Sequence, residues 1–294
     1  MLFLLLILFL VLLSSACATA NPTPAEEERP SPTEPQITPT PEEPTAIPQP
    51  AAALVNGEPI PLTWFEREVE RYLMAQLALG KDDVDDAAAR ETVLSDLIDQ
   101  VLLAQGARQA GANFSDENVQ VRIDELAAEV NLDAWMAEWG YTIEELRESL
   151  KLQMLVAYQR DEIVGSIPVD VEQVELRQVF AFTEAGANRA LRNLNAGASF
   201  EDVAFEFSPD TGGYLGWVPR GYLLIPAVEE AVFNQPVGTY TEIIESDIGY
   251  HIVLVIDREN RPLSSDARLA LARLALRTWL ETQREDSIIE VLVD

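Results

Sequence analysis

The chain is poor in the residues on which much of enzyme chemistry depends. It has one cysteine and one histidine in 294 residues. A single cysteine excludes an internal disulfide. One Cys and one His cannot supply the ligand set of a usual zinc site. No metal ion and no organic cofactor is expected. Positive charge is also scarce: Lys plus Arg number 20 against 50 Asp plus Glu, a net charge of −30, and no basic cluster occurs anywhere. Nucleic-acid binding needs cations that displace counterions from phosphate, so it is excluded as a partner class. Electrostatic docking on anionic lipid is excluded for the same reason. The glycines open no strand-to-helix phosphate loop, so nucleotide binding is unsupported. What remains is a soluble, acidic chain that would favour basic or unfolded clients. Its hydrophobic fraction of 48% allows a real core, and its length suits about two domains.

Residues 2–13 are almost uninterrupted Leu, Phe, Ile and Val, followed by Ser14-Ser15-Ala16-Cys17. The run is shorter than the ~18 residues of a spanning helix, so it reads as the apolar part of a signal peptide. The small residues before Cys17 resemble a bacterial lipobox, which implies a lipidated Cys17 and attachment to the membrane through that lipid alone. A plain cleavable signal with an incidental Cys17 is the other reading. Either way the protein leaves the cytoplasm and works in the cell envelope. Residues 18–50 hold ten prolines and six glutamates. Such a segment cannot bury apolar surface and reads as a disordered, partly extended linker.

From residue 51 the composition changes. Leu54 to Ile60 reads as strand, Asn-Gly turn, strand. Thr63 with Glu66 reads as a capping box opening a helix with Phe65, Val69, Tyr72 and Leu73 on one face. A second helix spans about 88–110, with Leu94, Leu97, Val101 and Ala104 in register. Ser115 caps a third, with Val119, Ile123, Leu126 and Val130 as its stripe. A short helix over 133–138 follows. Thr142 caps the last, with Leu146, Leu150, Met154 and Ala157 inward. Residues 164–171 form an extended hinge.

Beyond the hinge the pattern turns to mixed helix and strand. A strand over 172–182 puts Gln178, Phe180 and Phe182 on one face and Val179 and Ala181 on the other. Helices follow at 184–195, at 200–207 capped by Ser199, and at 227–233. Strands are expected at 238–244 and 250–256. Residues 257–262 leave the domain, and Ser264 or Ser265 caps a terminal helix with Leu269, Ala272, Leu276 and Trp279 as an apolar stripe. A helix of that kind needs a partner.

The densest phrase runs from Ser208 to His251. It contains Ser208-Pro209-Asp210-Thr211-Gly212-Gly213-Tyr214-Leu215-Gly216-Trp217, then Arg220-Gly221, Glu229-Glu230-Ala231-Val232-Phe233 and Gly249-Tyr250-His251. It resembles the parvulin class (PpiC, or rotamase) of peptidyl-prolyl isomerase domains carried by extracytoplasmic foldases of the PrsA and SurA type. Asn56-Gly57-Glu58-Pro59-Ile60 followed by amphipathic helices is similar to the N-terminal chaperone region of those proteins. The resemblance implies an α+β fold. A helical chaperone domain at 51–170, completed by 264–294, would carry an inserted or following parvulin domain at 171–258, a small antiparallel sheet packed with helices.

The resemblance also implies the site. Asp210 matches the family's Asp/Cys position and His251 the histidine of the last strand. Gln178 stands where the family has its first-strand histidine. Leu223 or Leu224, Val228 and Phe233 match the apolar positions that bind substrate, with Val228 where an aromatic is usual. The implied activity is cis–trans isomerisation of prolyl bonds in unfolded or partly folded exported polypeptides, binding extended Pro-containing segments. Gln178 and Val228 favour the alternative of a parvulin-like holdase with weak or no catalysis. For His251 alone, a strand histidine satisfying a buried hydrogen bond weighs equally with a functional role. For Asp210 the competing role is a plain turn residue, and for Gly212, Gly213, Gly216 and Trp217 it is turn geometry and packing.

Overall fold

The computed structural model describes residues 50–81 and 83–293. The expected signal segment, Cys17 and the linker up to residue 49 lie outside the described residues. The elements are β1 (Ala51–Val55), β2 (Glu58–Pro61), α1 (Leu62–Ala78), α2 (Asp86–Gln109), α3 (Asp116–Glu129), α4 (Leu132–Trp139), α5 (Ile143–Gly165) and β3 (Asp170–Ala181). They continue with α6 (Glu184–Asn195), α7 (Phe200–Phe207), β4 (Tyr214–Pro219), α8 (Pro226–Asn234), β5 (Ile244–Ser246), β6 (Gly249–Pro262), α9 (Ser265–Asp286) and β7 (Ile289–Val291). The fold class is α+β, as expected. Two compact units divide the chain: one up to Ile98 together with Ile288 onward, the other Asp99–Ser287.

In the first unit, β1 and β2 form the expected hairpin on Asn56-Gly57. Both turn residues have positive φ, 52° and 82°, the geometry that suits the right-handed twist of a two-residue hairpin. Strand β7, not anticipated from the sequence, pairs antiparallel with the other edge of β1 and gives the order β2-β1-β7. Thr63 does not cap α1. Pro61 is the N-cap, without a side-chain cap bond. Leu62 N–H, at the first helical position, donates to the Pro50 carbonyl just before β1 at 2.8 Å. Phe65 and Val69 are buried on the inner face of α1, while Tyr72 and Leu73 are half-buried.

In the second unit, Ser115 and Thr142 cap α3 and α5 in reciprocal capping boxes with Asn118 and Glu145. Val119, Ile123, Leu146 and Leu150 join one core, against which Trp135 and Tyr141 also pack. Val130 leaves the stripe as the exposed C-cap of α3. Along α5, Met154 packs against that core as expected, Ala157 is half-buried, and Leu155, Val156, Gln159 and Ile163 are buried beyond the expected stripe. Helix α9, capped by Ser264, lays Leu276, Trp279 and Leu280 against Leu103, Val156 and Ile163. Gly106 lets the Trp279 indole approach: a Cβ there would come within 2.7 Å of it. Arg284 donates to Asp99 at 2.6 Å beside this contact. Leu269 is exposed rather than part of the stripe.

The same unit holds a four-stranded antiparallel sheet in the order β4-β3-β6-β5. The long strands β3 and β6 pair from Asp170↔Pro262 to Ala181↔Tyr250. Residues 257–262 therefore do not leave the domain after β6. Asp257 and Glu259 face solvent, Arg261 lies over the Trp217 ring, and buried Gln173 ties the strand end by donating to the Arg261 carbonyl at 2.9 Å. Strand β4 arises from the Gly-rich phrase that the sequence reading treats as turn and packing. The strand expected at 238–244 is confined to β5. Over 238–241 only a bridge, Tyr240↔Leu254, forms. Thr241 Oγ1 accepts from Val253 N there at 3.1 Å, so a side chain replaces part of the ladder.

Candidate functional site

Strand alternation and register decide what the sheet presents on each face. Phe180 lies opposite His251 and Gln178 opposite Val253, so these four side chains share one face. Val179 and Ile252 take the other, where they pack with Ala190, Leu194, Phe200, Val203 and Ala204 of α6 and α7. On the first face, Val228, Val232 and Phe233 of α8 cover Val174, Leu176, Val253 and Val255. The anchoring of α8 is direct. Arg258 on β6 donates to the carbonyls of Phe233 and Gln235 at 2.9 and 3.0 Å, a cation at the helix end where unpaired carbonyls collect. Toward Gln178, Phe180 and His251 the face changes character. Gln178 and Phe180 are half-buried and Phe182, just past the strand end, is 84% exposed.

Gln178 and His251 are diagonal neighbours on adjacent strands, a placement of about 7–8 Å that long side chains bridge. His251 is only 1% exposed. Its Nε2 lies 2.7 Å from Ser246 Oγ across the tight β5–β6 turn. Ser246 Oγ also donates to the Gly249 carbonyl at 3.0 Å. The other ring nitrogen is Nδ1. That Nδ1 is buried and has no hydrogen-bond partner among the described residues. Burial lowers the His251 pKa below its ordinary value, so the ring is neutral at pH 7. Phe180 packs tilted against it with ring centroids 5.1 Å apart.

Asp210 sits exposed in the turn between α7 and β4. The turn is closed by Gly212 N–H donating to Ser208 O at 2.7 Å and Gly213 N–H donating to Thr211 Oγ1 at 3.2 Å. It is fastened to the backbone of Gln178, whose N–H donates to Gly213 O at 2.8 Å. A Cβ on Gly213 would fall 1.9 Å from the Gln178 carbonyl oxygen, and Gly213 has φ +70°, so only glycine fits. The structure thereby brings the Asp210 turn and Gln178 together. Tyr214, next in the chain, donates to Glu175 at 2.6 Å. That hydrogen bond, with burial and the Glu175 charge, raises the Tyr214 pKa.

The apolar candidates separate. Leu223 packs half-buried against the core under α8, and its N–H donates to Glu229 Oε2 at 3.2 Å. Gly221 N–H donates to the same carboxylate oxygen at 2.9 Å, so Glu229 shapes the whole loop. Val228 and Phe233 are buried in that core. Leu224 is 97% exposed and packs on nothing. Ser246 and Phe180 were not among the residues the sequence singled out. Ser246 had a legible signal, since Ser-Asp-Ile-Gly-Tyr-His reads as a two-residue hairpin that puts Ser246 diagonally across from His251. Among the described residues, no cluster of His, Cys, Asp and Glu is arranged to hold a metal ion, and no helix is long and apolar enough to cross a membrane.

Comparison with known proteins gives two family matches. Residues 167–259 match the PPIC-type PPIASE domain and residues 45–134 the SurA-like N-terminal domain. Foldase protein PrsA of Halalkalibacterium halodurans is 28% identical over 222 residues, 66% of this chain and 66% of that one. Chaperone SurA of Dechloromonas aromatica is 26% identical over 274 residues, 78% of this chain and 62% of that one. The match thus spans less than two thirds of either relative. A crystal structure of PrsA from Bacillus cereus aligns with a TM-score of 0.47 at 18% identity, covering 78% of this chain and 86% of that one.

Proposed function

We propose that the protein is an extracytoplasmic foldase, a chaperone that binds unfolded exported polypeptides and isomerises prolyl bonds in their extended segments. The observation that carries this reading is the placement of Gln178 diagonal to His251 on the open half of the sheet, with the Asp210 turn fastened to the Gln178 backbone. Prolyl isomerisation faces a barrier of ~18–20 kcal/mol and makes no new covalent product. A catalyst need only prefer the twisted amide, whose nitrogen has lost conjugation and accepts hydrogen bonds. In this reading Gln178 contributes an amide donor beside that nitrogen. The neutral His251 and the Asp210 carboxylate set the local field. Leu223, with Val228 and Phe233 behind it, forms the apolar slot for the proline ring, and Leu224 offers an outer apolar contact.

A holdase with weak or absent catalysis is the second reading. The unpartnered Nδ1 of His251 and the burial of Val228 in the core beneath α8 favour it. Exchange NMR on a Pro-containing peptide with the full chain separates the two. Catalysis lost in Asp210→Ala and His251→Ala, and raised in Gln178→His, supports the foldase. Peptide binding without accelerated exchange in the wild type and in Gln178→His leaves the holdase.

The domain division proposed with this function is 51–170 joined by the returning segment 264–294 for the chaperone part, and 171–258 for the isomerase part. Cys17 is proposed as the lipid attachment that tethers the body through the 18–50 linker. Mass spectrometry of the membrane fraction should find a diacylated N-terminus at Cys17; a free peptide beginning elsewhere removes the anchor.

A further inference from the structure

Phe180 and Phe182 have no place in the chemistry above, yet they are fixed with care. Their rings meet edge to face at 4.9 Å. Phe180 is also held against His251 and over Gly249, where an added Cβ would come within 2.9 Å of the Phe180 ring. The bare Gly249 is what lets Phe180 lie flat at this point. The three rings make a continuous path from the buried histidine to a phenyl group standing in solvent at the sheet end. A solvent-facing phenyl braced in this way contributes little to the core.

The free charges beside that path are acidic, since the nearest cations in the chain, Arg177, Arg189 and Arg220, are engaged with Glu201, Phe207 and Glu230. No lysine or arginine occurs from Gln178 to Asn188 or from Gly221 to Asp257. The path runs between two exposed acidic turns, that of Asp210, fastened to Gln178, and that of Asp247, between Ser246 and Gly249. On the opposite face of the same sheet end, the charge of Glu245, with burial and the charge of Glu184, raises the Tyr250 pKa. An aromatic face in a field of uncompensated carboxylates is complementary to a flat, weakly hydrated cation, and guanidinium is the side chain that stacks on it best.

We propose that Phe180 and Phe182, flanked by the Asp210 and Asp247 turns, form a subsite for an arginine, or less well a lysine, adjoining the proline of the client segment. This rests on reading the open half of the sheet as a prolyl-peptide groove. It makes basic–proline segments the preferred substrate class, a selectivity built into the site itself rather than one arising from overall charge.

The test uses the full chain and three peptides that differ only in the residue before proline: Arg, Leu or Glu. Exchange NMR gives kcat/KM, and chemical-shift titration gives Kd. The Arg peptide should exceed the Glu peptide by about tenfold at low salt, and the gap should narrow as salt rises. Phe182→Ala should cut the Arg-over-Glu preference about threefold to fivefold, while Phe182→Tyr keeps it. Phe182 is exposed, so its loss should not alter the melting temperature. Asp247→Asn should lower the Arg preference without touching the aromatic pair. Equal values for Arg and Glu, or a preference unchanged in both Phe182→Ala and Asp247→Asn, overturn the subsite while the foldase reading stands. If no peptide is turned over, the Kd series still ranks Arg against Glu. Absence of both turnover and binding overturns the subsite and the groove reading together.

Discussion

The two faces of the four-stranded sheet share the same strands and differ in nearly everything else. Against α6 and α7, Val179 and Ile252 are buried with small and aromatic partners. On the other face α8 covers only the stretch around Leu176, Val253 and Val255. The remainder carries a glutamine, a histidine with one unused nitrogen and two phenylalanines of increasing exposure. The closed face follows the ordinary logic of apolar burial. The open half departs from it and retains polar groups that a purely structural sheet would replace. The proposed function rests on that half of one face, while the other face supplies the rigidity that holds it.

That comparison can be broken from three directions. The largest effect is expected at Gly213, where the turn meets the sheet. Gly213→Ala forces a Cβ into the Gln178 carbonyl oxygen and should cost about 4 kcal/mol or more, or detach the Asp210 turn with loss of peptide binding. Urea unfolding and peptide titration measure the two consequences, and an unperturbed variant would mean the docking is not as tight as described. Next comes the closed face. Ile252→Ala leaves a cavity between sheet and helices and should destabilise by about 2–4 kcal/mol. Its effect on exchange catalysis at saturating peptide should be small, provided the domain remains folded at the assay temperature. A large fall in kcat with little loss of stability would contradict the division of labour between faces.

The smallest effect is a pH dependence. His251 is buried and neutral, with its folded pKa below the unfolded value near 6.5. Its contribution is complete above about pH 6.5 and is lost as the pH falls from there through the lowered folded value, because the unfolded chain takes up the proton first. His251→Gln should remove this component from the acid limb of the stability curve. An identical acid limb in the variant would show that the ring is not held neutral.

Much of this was legible because it is local. Ser115, Thr142, Ser199 and Ser264 each cap the helix they were expected to cap, since a cap needs only its own next three residues. Thr63 failed because the chain is already helical at Leu62, where the N–H meets the Pro50 carbonyl from just before β1. The charged run Asp257-Arg258-Glu259-Asn260 looked like an exit from the domain because nothing in it marks its partner, residues 172–175. In the candidate site, the phrases around Asp210 and His251 do come near Gln178 in the fold, one through the Gly213 carbonyl and the other across the β3–β6 ladder. The Gly213–Gln178 contact depends on a pairing between segments 35 residues apart in the sequence, and the burial of Val228 depends on which side α8 settles. Neither is written in any short window.

The pairing of β7 with β1 bears on the order of events during synthesis. Ile288 N–H donates to the Asn56 side chain across a sequence separation of 232 residues. The hairpin of β1 and β2 can form as soon as it leaves the ribosome, but one edge of β1 stays open until residues 289–291 have been made. Closing a loop of that length costs about 5 kcal/mol of chain entropy if nothing in between has folded, and far less once the intervening segments have collapsed. The three-stranded sheet is therefore a late event. Until then β1 presents an unpaired strand edge, which is a template for pairing with another nascent chain. Ribosomes stalled before residue 288 should release a product more prone to self-association than a chain that includes β7.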